Sequence, residues 1–79
     1  MKEKLKEFFD TEMRYVKIGL DGETDLGQRN NICWYSRQRA LGAVTMAQLC
    51  GLEYDIAEKM FYNFVDCLEA MIDCEGEDD

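Results

Sequence analysis

Histidine and proline are absent from this chain, and it contains no Cys-x-x-Cys pair, no Gly-x-Gly-x-x-Gly run and no phosphate-binding loop. Without histidine, general acid–base work falls to a perturbed carboxylate or thiol, and a tetrahedral zinc site would need four scattered cysteines. Of the four, Cys33, Cys50, Cys67 and Cys74, the last two cannot bridge each other. Cys67 and Cys74 fall on one expected helix with about 10.5 Å between their Cα atoms. Free thiols acting as small core hydrophobes are the expectation. Cys33 is the one candidate nucleophile, if a helix N-terminus and Arg37 lower its pKa. The opening residues, Met1 to Glu7, are charged and lack an apolar leader, so a reducing cytoplasm is expected. No enzyme activity, metal, cofactor, small-molecule substrate or membrane contact is anticipated.

Basic residues are scarce in the last third. Residues 1–52 hold seven acids and eight bases, whereas residues 53–79 hold ten acids and only Lys59, which accounts for the net charge of −8. An acidic face repels phosphate backbones and anionic lipids and suits a basic partner.

What the chain does have is helical periodicity. Leu5, Phe9, Met13 and Val16 recur every three or four residues, predicting a first helix over about 2–17. Its start is unfavourable, because Lys2, Lys4 and Lys6 crowd the positive end of the helix dipole. Glycines and acids from Ile18 to Asn30 predict a long connection, with an Asp21-Gly22 turn and a short strand over Val16 to Leu20 as an alternative. Asp21, Glu23 and Asp25 alternate like calcium-loop ligands, but Leu26 and Ile32 stand where such a loop needs glycine and glutamate.

Asn30 or Asn31 is the expected cap of a second helix over 31–50, apolar on nearly every side from Ala40 onward. Ser36, Ala40, Ala43 and Ala47 form a small-residue stripe on it that permits close helix packing, and Gly51 with Leu52 reads as its C-terminal stop. A third helix over 54–74, capped by Asp55, carries Ala57, Phe61, Phe64, Leu68 and Met71 on one face. The tail 75–79 is expected to fray.

The fold class predicted is all-α: a small three-helix bundle, one domain over 1–79, with the last two helices as an antiparallel hairpin. By the size scaling of monomers, 9.2 kDa should fold to roughly 4,900 Å² of surface, a marginal core. Since two neighbours are too few to cover so apolar a central helix, a homodimer is expected, burying the Ala40, Ala43, Ala47 side or the Phe61, Phe64, Leu68 face.

Three interaction readings follow. Arg29, Arg37 and Arg39 bracket Trp34 and Tyr35, the mix that engages single-stranded nucleic acid or phosphorylated partners. The plainer alternative pairs Arg37 and Arg39 with carboxylates of the third helix or loop and places Trp34 in the core. Asp66, Glu69 and Asp73, facing water on the third helix, would suit a basic protein or mimic a nucleic-acid backbone. The spacing of Ala47, Gly51 and Ala57 resembles a helix-turn-helix corner, but Glu53, Asp55 and Glu58 would meet DNA phosphates with like charge. A small cytoplasmic protein-interaction or regulatory module is the function expected.

Overall fold

The computed structural model describes the backbone of residues 1–77 and side chains through Ile72. It is an all-α bundle of α1 (Lys2–Leu20), α2 (Leu26–Leu49) and α3 (Tyr54–Glu77), with no strand among the described residues. The short strand considered for Val16 to Leu20 is therefore the last turn of α1. Leu20 extends the buried stripe of Leu5, Phe9, Glu12 and Val16 by one more turn. Packing of Gly19 against Ile32 of α2 holds helix where glycine alone would disfavour it.

The connection expected over 18–30 contracts to residues 21–25. Asp21 (φ −63°, ψ 117°) and Gly22 (φ 80°) form a type II turn closed by the Glu23 N–H donating to the Leu20 carbonyl at 3.0 Å. Asp25, not Asn30 or Asn31, caps α2: its carboxylate accepts the Gln28 N–H at 3.0 Å, and Glu23 accepts the Asp25 N–H at 3.2 Å. Two of the acids that resembled calcium ligands, Glu23 and Asp25, thus serve backbone N–H groups at the start of α2. At the other end, Gly51 sits at φ 109°, and the Leu52 and Gly51 N–H groups reach back to the Ala47 and Gln48 carbonyls at 2.9 and 3.0 Å. This is a Schellman stop, with Leu52 half-buried as its apolar clamp. The Ala57 N–H donates to the Glu53 carbonyl, so Glu53 opens α3 and Asp55 lies inside the first turn, where its charge favours the helix dipole. α3 runs to Glu77, past the expected end at 74. Of the tail expected to fray, Asp78 and Asp79 lie outside the described residues.

Contacts between Gly19 and Ile32, and between Glu12 and Ser36, run α1 antiparallel to α2. The short corner at Gly51 makes α3 antiparallel to α2 as well, so α1 and α3 are parallel on either side of it. Ser36 and Ala40 are wholly buried and Ala47 nearly so, which lets both neighbours approach closely. Phe9 of α1 stacks on Phe64 of α3, ring centroids 5.0 Å apart.

This packing corrects the location expected for a dimer. Ala40, Ala47, Phe61, Phe64 and Leu68 are buried within one chain, Ala43 is half-covered, and these faces are not available to a second copy. Among the described residues, no helix is long and apolar enough to cross a membrane.

Candidate interaction site

The three arginines do not form one patch. Arg29 is buried, 3% exposed, where the ends of the three helices meet. Its Nη1 donates to the Leu20 carbonyl at 3.1 Å and the Glu23 carbonyl at 2.8 Å, and Nη2 donates to the Met71 carbonyl at 3.3 Å. A guanidinium suits this position because its fork serves several acceptors at once, and its charge faces the negative end of α1. Arg39 turns to the opposite side, its Nε donating to Glu12 Oε1 at 2.9 Å. That partner is on the first helix, not on the third helix or the loop as expected.

Glu12 is itself buried and also accepts the Ser36 hydroxyl at 2.9 Å on the same oxygen. The sequence reading missed Glu12, although the signal was present. It lies seven residues after Leu5 and four before Val16, inside the apolar stripe, where a carboxylate must find partners.

Arg37, Trp34 and Glu69 do come together. With Asn30, Cys33, Val65, Leu68 and Ile72 they line a notch of about 210 Å³ between α2 and α3. Trp34 does not anchor the core; it is 55% exposed and meets Tyr35 edge-on. Asp66 and Glu69 are exposed on α3, and the side chain of Asp73 lies outside those described.

Cys33 lies two turns inside α2 rather than at its N-terminus. Burial pushes its thiol above the ordinary value of 9.0, and the nearby Arg29 charge opposes this more weakly. Since the thiolate is the nucleophile, alkylation of the native protein at pH 8 should reach exposed Cys50 and Cys67 at least tenfold faster than Cys33. Peptide mass mapping over time reads this directly. A folded thiol pKa above its unfolded value also means that the unfolded chain releases its proton first as pH rises. The stabilisation is full below the unfolded pKa and is lost as pH rises toward the folded one. Cys33→Ala should flatten that alkaline decline in urea midpoint. Among the described residues, no three His, Cys, Asp or Glu side chains converge to hold a metal.

A larger concavity than this notch lies between the parallel helices α1 and α3. It is an open groove of about 590 Å³ with Phe9, Met13, Ile56, Met60 and Phe64 along its floor and walls. Lys2, Lys6 and Lys59 stand on its rim with Asp10, which pairs with Lys6 at 3.4 Å. In a chain of net charge −8, this rim carries a cationic excess. Lys2 and Lys6, two of the three lysines that crowd the dipole of α1, and Lys59, the lone base of the acidic third, line the same groove.

Comparison with known protein families, characterised proteins and solved structures finds no match. The functional reading therefore rests on these surfaces alone.

Proposed function

We propose that this chain is a non-catalytic protein-interaction module that seats an amphipathic helix with acidic flanks in the groove between α1 and α3. The observation that carries the reading is the juxtaposition of an apolar floor with a cationic rim on an otherwise acidic molecule. The stretch of α1 from Lys2 to Met13 spans about 16 Å, three turns of helix, enough to meet apolar side chains at i, i+4 and i+7 of a partner. Burial of those side chains would supply affinity, at roughly 1.5–3 kcal/mol for each large one fully covered. Exposed lysines contribute little binding energy by themselves and act mainly on orientation and encounter rate. A cytoplasmic setting belongs to the same proposal, supported by the free thiols of Cys33, Cys50 and Cys67.

The test uses a 15-residue amphipathic peptide with leucines at that spacing and glutamates beside them, together with a lysine-flanked counterpart. With methionine methyls isotopically labelled, the acidic peptide should shift Met13 and Met60, and Lys6→Glu with Lys59→Glu should weaken it at least fivefold. If neither peptide perturbs those methyls, the groove reading fails. Preference for the lysine-flanked peptide, weakened by Asp66→Asn and Glu69→Gln, would instead favour the acidic face of α3 as the contact.

A further inference from the structure

The outer side of α2 is bare. Leu49 is 77% exposed, Met46 61% and Tyr35 58%, on a helix that otherwise lies between two neighbours. Tyr35, Gln38, Gly42, Thr45 and Leu49 recur at alternating spacings of three and four, which places them in one line along the helix. None is charged, and from Ala40 to Leu52 the chain holds no Asp, Glu, Lys or Arg. Arg39, on the flank of the line, already pairs with Glu12.

From this surface we infer a two-fold dimer of this chain, with the α2 helices of two copies crossing antiparallel at Gly42. Three observations select a second copy as the occupant. The first is area: the chain exposes 5599 Å², against about 4,900 Å² for a compact monomer of its mass. That surplus approaches the roughly 800 Å² per partner of a standard interface. It belongs to an elongated body of 44 × 18 × 16 Å. The second is charge: two molecules of net −8 repel each other least where neither presents a carboxylate, and this line is such a place.

The third is symmetry. Tyr35 and Leu49 lie equally far on either side of Gly42, so an antiparallel two-fold sets Tyr35 of one copy on Leu49 of the other. The same operation lays Gln38 against the stretch of Thr45 and Met46, with an amide able to bond the Thr45 hydroxyl. Gly42 fits that centre. A Cβ there would meet nothing within 4 Å in the chain's own fold, so intrachain packing gives no reason for a residue that weakens a helix interior. A close crossing of two backbones does.

Light scattering behind size exclusion, at 1–100 µM with reductant, should find twice the 9.2 kDa chain mass for the wild type. Gly42→Leu should weaken the dimer at least tenfold and Leu49→Glu more, each with unchanged helical circular dichroism, while Lys59→Glu in the α1/α3 groove should leave the mass unaltered. A wild-type monomer at 100 µM overturns the inference, whatever the variants do. So does a dimer that survives both α2 substitutions, or one that Lys59→Glu dissociates.

Discussion

Arg29→Met is expected to cost about 3–5 kcal/mol, the range for removing one partner from a buried charged network. The stability of a chain of this length is only roughly 4–12 kcal/mol, so this variant should be largely unfolded or close to it. The loss arises because one guanidinium ties the carbonyls of Leu20, Glu23 and Met71 together, and its removal leaves no side chain to join the ends of α1 and α3 to the start of α2. Arg29→Lys keeps the charge but not the fork, and should recover only part of the loss. Arg37→Met, on the exposed wall of the α2/α3 notch, should change stability by no more than about 0.5 kcal/mol. Urea midpoints of the three variants, followed by circular dichroism, give the comparison. A midpoint for Arg29→Met within 1 kcal/mol of wild type would show that the helix ends are held together by something else.

The second large effect belongs to Glu12. Glu12→Ala leaves the Ser36 hydroxyl, wholly buried, without its acceptor and removes the partner of Arg39, for an expected loss of about 2–4 kcal/mol. Arg39 adds little of this, since its side chain is about half exposed and water takes over. The cost should come mainly from the unpaired hydroxyl and the space left between α1 and α2. Combining Glu12→Leu with Ser36→Ala, which makes both sides apolar, should therefore be less damaging than Glu12→Ala alone. A double-mutant cycle between Glu12→Leu and Ser36→Ala should give a coupling of about 1 kcal/mol. A coupling near zero would mean that the buried hydrogen bond does not contribute to stability.

These two residues also show where reading the chain alone stopped short. Apolar stripes identify three helices because burial rewards one face of a 3.6-residue period, and that signal is local. It placed Leu5, Phe9, Ala40, Ala57, Phe61 and Leu68 on the faces that are buried. Glycine punctuation located the Gly51 corner for a similar reason, since only a residue at ease with positive φ closes that turn. The first connection was misjudged because its acids and glycines resemble a loop until Asp25 is seen taking the Gln28 N–H, which begins α2 five residues early. The arginines were grouped by sequence proximity. Helical geometry separates Arg37 from Arg39 by about 200° around α2, and the longer register of α2 carries Arg29 inward.

Determined by sequence alone were the all-α class, the order of the helices, the small-residue stripe that makes α2 central and the acidity of the last third. Each follows from periodicity, side-chain size or charge within a few turns of chain. Decided by tertiary structure were the burial of Arg29 and Glu12, the exposure of Trp34, the groove between α1 and α3, and the bare line on α2. Each of these depends on which faces two separate helices turn toward a third, and that angle is set by long-range packing, which no local pattern encodes.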